Sequence, residues 1–228
     1  MQAYYISMKR KNVIIGSSGH AKVIIDIIEK QNTFSIVGLI NSNRPVGEMT
    51  LGYPIIGHED DLPSLMTAHT IEGCIIAIGD NWKRKLVLDK LNSKNIAVEY
   101  ITAIHPSAQI GKNVTIGIGT TIMAGAIINS DAAIGKFNII NTKASVGHDC
   151  FLGDFVSLAP NATLGGNVRI GNFSAISMSA TLIHSITVGE HSVIGAGSVV
   201  LENVDNLKIS FGIPAKVFRE RIIGEKYL

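Results

Sequence analysis

The chain has 228 residues, 20 Lys and Arg against 18 Asp and Glu, and a formal net charge of +2, which argues against a nucleic-acid partner. No apolar run is long enough to span a membrane, and residues 1–10 lack the apolar core of a signal peptide, with Met1 to Ser7 reading as an untidy start. Two cysteines without a C-x-x-C spacing argue against a thiolate zinc site and for a reduced, cytoplasmic protein.

Asn12 to Ile15 is a short apolar run, followed by Gly16-Ser17-Ser18-Gly19-His20. Ala21 to Lys30 then carries Val23, Ile24, Ile27 and Ile28 at helical spacing. Strand, glycine turn and helix in this order present backbone N–H groups at a helix N-terminus, which suits a phosphate. The turn is not a full G-x-G-x-x-G, and a plain βα turn reads the same way. Ser35 to Ile40 is a second strand ending at Asn41-Ser42-Asn43. An acidic residue there would hold the ribose of NAD, so Asn41 argues against that cofactor. Tyr53 to Gly57 is a short strand or turn, Asp60 to Met66 a short helix, Cys74 to Ile78 a third strand ending in Gly79. Trp82 to Leu91 is an amphipathic helix with Arg84 near its start, and Ala97 to Ile101 a last strand. The alternation predicts a small parallel sheet with helices on both faces, its ligand edge at Gly16–His20, Asn41 and Gly79.

From Ile104 to Asp205 the sequence falls into sixes. Of the 29 Ile, Leu and Val residues in this stretch, 17 occupy one column running from Ile104, Ile110 and Ile116 to Val188, Ile194 and Val200. An even spread would put about 5 there. A period of six fits neither a helix nor a flat strand; it fits a solenoid of short strands with the column inside. Glycine often follows the column, as at Gly147 and Gly165, and its tolerance of positive φ suits a corner. After Asp205 the period stops; Phe211 to Lys216 reads as a loop and Val217 to Tyr227 as a helix.

The repeat resembles the hexapeptide-repeat acyltransferases. That resemblance implies a left-handed parallel β-helix with three sixes to each coil. The expected fold is therefore a Rossmann-like α/β domain over 8–103, then an all-β left-handed β-helix over 104–228 with a C-terminal loop and short helix.

Seven histidines are candidates for chemistry. His58 and His69 read as structural, His105 as a domain-junction residue, and His184 and His191 lack a useful acidic neighbour. His148 follows Gly147 and precedes Asp149, seven residues after Asn141, and Gly166 lies one expected coil away. An imidazole beside a carboxylate can act as a general base, and an exposed glycine N–H can bind a developing oxyanion. The bland reading is a solvated surface pair. Neighbours on a strand point to opposite faces, so Asp149 can reach His148 only at a corner.

The combination of G-x-x-G-H, hexapeptide repeats, Asn-Thr…His-Asp and G-x-P-A-K covers nearly the whole chain. It resembles the bacterial N-acetyltransferases of nucleotide-linked 4-amino-dideoxy sugars and the related sialic-acid-pathway O-acetyltransferases. The resemblance implies His148 as general base, Asp149 as its partner, Asn141 as a supporting residue, and the Gly166 amide as donor to the acetyl carbonyl. It implies nucleotide-sugar contacts at Ser18, Gly19, His20, Asn41, Gly79 and Arg84. It implies an acetyl-CoA groove along Ser157, Gly166, Ala196, Pro214, Ala215 and Lys216, where many relatives have histidine in place of Ser157. It further implies acetyl-CoA as cosubstrate, no metal, no nucleic acid or membrane, and a homotrimer with sites between two solenoids. Two other functions remain open on the sequence: sugar O-acetylation, and non-catalytic nucleotide-sugar binding.

Overall fold

The computed structural model describes residues 9–94, 96 and 98–227. The first unit contains β1 (Arg10–Ile15), α1 (Gly19–Gln31), β2 (Phe34–Ile40), β3 (Met49–Thr50), β4 (Tyr53–Gly57), α2 (Leu62–His69), β5 (Gly73–Ile76), α3 (Asn81–Ser93) and β6 (Glu99–Tyr100). They form one sheet in the order β3-β4-β2-β1-β5-β6, parallel throughout except for the β3–β4 pair. Val13, Ile14 and Ile15 are fully buried, as expected of a central parallel strand covered on both faces. The chain leaves β1 toward β2 and later returns to its other side at β5. The ligand crevice of an open parallel sheet therefore lies at the C-terminal ends of these strands, beside Gly16, Asn41 and Gly79. In α1, Ile24, Ile25, Ile27 and Ile28 face the core, whereas Val23, expected on that face, is exposed. Ala97, expected to open the last strand, lies outside the described residues.

The second unit is a parallel β-helix. Two-residue strands from β7 (Ala103–Ile104) through β23 (Val199–Val200) recur with the period of six and stack into three sheets. Partners lie three sixes apart, as in Thr121↔Ile139↔Ser157↔Ala175↔Val193. The aliphatic column fills the prism from Ile122 to Val200, with Ala126, Ala144, Cys150 and Ala162 buried beside it. The first members behave differently. Ile104 and Ile116 are only partly buried and Ile110 is exposed, because no complete coil lies beneath them.

The corners are not made as the sequence suggested. Positive φ recurs at the fourth residue of each six, from Asn113 to Gly197, and is borne mostly by Asn, Asp, Phe, Lys and Ser. The glycine after the aliphatic column has a different cause: a Cβ there would strike the backbone of the next coil. At Gly117 it would come within 2.5 Å of Gly135 C, and at Gly147 it would collide with Gly165 O.

The expected C-terminal helix is absent. β24 (Lys208–Gly212) joins the eight-stranded sheet parallel to Val193–Ile194, and β25 (Ala215–Glu220) pairs back on it as a hairpin. The open edge of β24 supplies backbone partners, and Val217 and Phe218 favour an extended chain. This tertiary pairing takes residues 217–220 out of the expected helix, and residues 221–227 run on as an irregular tail.

The two units share their cores. α1 packs against Ala103, Met123 and Ile139. Phe137, Phe155, Phe173 and His191, one per coil, stack with ring centroids 5.2, 5.1 and 4.7 Å apart. Trp82 meets Phe173 edge-on at 5.5 Å, and Tyr100 meets Phe137 at 5.2 Å. This aromatic ladder is the seam between α3 and the solenoid.

Candidate active site

Three features make up the site: a cleft at the sheet edge, a groove along the solenoid and an exposed histidine corner.

The cleft encloses about 500 Å³ and is lined by Gly16, Ser17, Ser18, Asn41, Gly79 and Lys83, among others. Gly16 has φ +118°, and a Cβ on it would lie 2.7 Å from Ala77 O, so the turn requires glycine. Ser18 is the N-cap of α1, makes no side-chain cap, and no acidic residue lies in the first turn. Free N–H groups at a helix start suit an anion; of the glycine turn, Gly16, Ser17 and Ser18 line the cleft, and Gly19 and His20 do not. Asn41 shapes the wall: its amide donates to Ser17 Oγ at 2.6 Å, and its Oδ1 accepts from Asn43 N at 2.7 Å. The cleft thus unites Ser18, Asn41 and Gly79, as the sequence implied. It does not include Arg84. That side chain is buried and bonds to Phe137 O, Ile78 O, Gly79 O and Ser157 Oγ. The cation lining the cleft is Lys83, one residue earlier on α3, and the offset is a matter of helix phase that the sequence alone did not reveal.

The groove, about 340 Å³, is lined by His20, Gly79, Asn141, Ser157, Ala159, Ser177, Met178, Ala196 and Tyr227 among others. Gly79 borders both spaces, so groove and cleft adjoin. His20 Nε2 is buried without a protein partner, and burial, reinforced by Arg84, lowers the imidazole pKa to about 4. His20 is therefore neutral at pH 7 and is not a cationic phosphate clamp. Along the solenoid the groove passes Asn141, Ala159, Ser177 and Ala196 on successive coils, towards the hairpin. Pro214, Ala215 and Lys216 sit at that hairpin, outside the groove wall, with Lys216 Nζ 3.5 Å from Glu202 Oε2.

His148 lies at a corner. Asp149 has φ 57°, and this left-handed step turns its carboxylate back to the imidazole, with Nδ1 to Oδ2 at 2.6 Å. The Nδ1–H donates to the carboxylate, which leaves Nε2 free to accept a proton. The ring lies over Gly166, where a Cβ would come 2.5 Å from Nε2 and displace the imidazole from this position. Both His148 and Asp149 side chains are well exposed, at 69% and 60%. Asn141 is not brought to them. It follows a strand of the eight-stranded sheet, whereas His148 follows one of the solenoid's six-stranded sheet, one prism edge further on. Two other histidines make structural contacts: His58 Nδ1 is 2.8 Å from Asn41 O, and His191 ends the aromatic ladder.

Sequence reasoning missed Lys83, Tyr227, Ala159, Ser177 and Met178. Ala159 and Ser177 could have been found by stepping three sixes at a time along the corner from Asn141, and Met178 is the residue after Ser177; nothing in the sequence pointed to Tyr227.

The PglD N-terminal domain family matches residues 11–91. A His-to-Asn variant of perosamine N-acetyltransferase from Caulobacter crescentus, solved with CoA and GDP-perosamine, is 33% identical, with a TM-score of 0.86 over 92% of this chain and 97% of that one. The chain belongs to the hexapeptide-repeat nucleotide-sugar acetyltransferases. Two further members agree. The acetyltransferase domain of PglB from Neisseria gonorrhoeae, in complex with acetyl coenzyme A, is 31% identical with a TM-score of 0.83, over 92% of this chain and all of that domain. WeeI from Acinetobacter baumannii is 25% identical with a TM-score of 0.82 over the same shares. No curated protein sequence matches the chain. The solenoid is accordingly the left-handed parallel β-helix of this family.

Proposed function

We propose that this enzyme transfers the acetyl group of acetyl-CoA to the amine of a nucleotide-linked 4-amino-4,6-dideoxy sugar. The observation that carries the mechanism is His148, oriented by Asp149 and held with Nε2 over Gly166. The sugar amine attacks the thioester carbonyl, forming the C–N bond while Nε2 accepts the amine proton. The Gly166 N–H bonds the carbonyl oxygen as negative charge gathers there. Collapse breaks the C–S bond, and the proton passes from His148 to the departing thiolate. Direct transfer needs no enzyme nucleophile: Cys74 and Cys150 are buried, and burial raises both thiol pKa values.

The cleft holds the nucleotide, with its phosphates at the N-terminus of α1 beside Lys83. The groove takes the sugar at its Gly79 end and the pantetheine arm along Ala159, Ser177 and Ala196. Since His148 lies a prism edge away from this groove, the reading places a neighbouring copy's His148 corner against it, in a homotrimer. The three perosamine N-acetyltransferase complexes with CoA and GDP-perosamine support the substrate class. The test is CoA release from GDP-, UDP- and dTDP-linked 4-amino sugars alongside their 4-hydroxy counterparts and free sialic acid. Acetylation of an amino sugar is the expected result. Turnover of hydroxylated sugars alone would assign O-acetylation, and nucleotide-sugar binding without turnover would assign a non-catalytic protein.

A further inference from the structure

The C-terminal tail carries a side chain into the inner end of the groove. Arg221 donates to His191 O at 2.8 Å and to Glu225 O at 2.7 Å, and its guanidinium lies 5.4 Å from the centre of the Tyr227 ring. Gly224 packs so closely on Trp82 that a Cβ would lie 2.9 Å from Nε1. The tail is thereby fixed across the seam between the two units. Tyr227 enters the groove with its hydroxyl 3.0 Å from Ser157 Oγ and 3.3 Å from Gly79 O. From the other side, Arg84 Nη2 donates to the same Ser157 Oγ at 3.2 Å.

A serine hydroxyl has two lone pairs and one proton. Gly79 O already accepts from Arg84 Nη1 at 3.0 Å, and Ser157 is the nearer of the two acceptors open to Tyr227. With Tyr227 and Arg84 both donating, the lone pairs of Ser157 are filled. What remains is its own O–H, polarised by a buried cation, at the end of the groove that adjoins the cleft. We propose that Arg84 and Tyr227 are positioning residues that make Ser157 a one-way hydrogen-bond donor to an oxygen of the acceptor sugar beside its reacting amine. This assigns Ser157 to recognition of the sugar and not of the thioester, and it rests on the nucleotide-amino-sugar reading above.

The test is steady-state kinetics of Tyr227→Phe and Ser157→Ala on the full-length enzyme, each substrate varied in turn. Each substitution should raise KM for the nucleotide amino sugar about tenfold, the scale of one hydrogen bond in a desolvated site. KM for acetyl-CoA and kcat should hold. With an acceptor deoxygenated next to the amine, wild type should show the raised KM, and neither variant should raise it further. An unchanged acceptor KM, a rise in the acetyl-CoA KM instead, or a penalty undiminished with the deoxygenated acceptor would each overturn the assignment. Should Tyr227→Phe fail to fold, Ser157→Ala with the two acceptors decides the same question. If wild type acetylates the amino sugar and the variants match it, this inference alone falls. If wild type acetylates no amino sugar, both fall together.

Discussion

His148 and Gly166 are neighbours only because each coil spans three sixes, and the imidazole lies where a side chain on residue 166 would stand. A Cβ at Gly166 would lie 2.5 Å from Nε2 and 2.6 Å from Cε1 of the imidazole. Gly166→Ala should therefore push the ring off its position while also crowding the amide. Alanine keeps the amide N–H, so the expected loss in kcat is that of a displaced general base, about 10²–10⁴. The fold should survive, since the corner is exposed, and circular dichroism with kcat measured on the same sample checks both.

The groove and the His148 corner lie on different edges of one prism, so each site should draw on two chains. A groove-blocked Ser177→Trp and the His148→Asn variant should each be inactive as pure oligomers. Unfolded and refolded together at equal amounts, they should recover about a quarter of wild-type activity, the share of sites with both halves intact. Light scattering should report a trimer. No recovery in mixed trimers would place both halves on one chain.

Much of this could be read from the sequence, because a six-residue period states its own geometry. The aliphatic column fixed the coil, and the coil brought Gly166 to His148. Where tertiary pairing decides, the pattern misled. Val217 to Tyr227 reads as a helix, but Val217 to Glu220 pair on the free edge of β24 and residues 221–227 run on irregularly. Arg84 has the charge for a phosphate yet turns inward to four acceptors, and Lys83 takes its place at the cleft. The glycines after the aliphatic column suit corners by residue type, but the positive-φ corners belong to Asp149 and its equivalents, and these glycines let the coils approach. Asn141 looked close to His148 by sequence but is carried away by the turn between sheets.

The aromatic ladder should hold the two units together. Phe155 is stacked between Phe137 and Phe173 and is almost fully buried. Phe155→Ala should lower unfolding free energy by about 3–5 kcal/mol, the range for a large-to-small change at such a site. Urea denaturation read by Trp82 fluorescence would measure it, and a loss below about 1 kcal/mol would show that the ladder contributes little.

His20 gives the protein an acid sensitivity. Its folded pKa, about 4, lies below the unfolded value of 6.5. Between those values the unfolded chain binds more protons, so stability falls as pH drops from about 6.5 to 4, by about 3 kcal/mol at most. His20→Asn removes the proton site and should flatten that part of the stability curve relative to wild type. Superimposable curves would mean that the ring is not desolvated.

Whether His148 takes the amine proton is decided by kcat of His148→Asn at saturating acetyl-CoA and nucleotide amino sugar. Asparagine keeps the size and some hydrogen bonding but cannot accept the proton. With His148 as the base, kcat should fall by about 10²–10⁴ with both KM values nearly unchanged. A variant retaining more than about a tenth of wild-type kcat, well short of that range, would contradict that role and leave His148 and Asp149 a solvated surface pair.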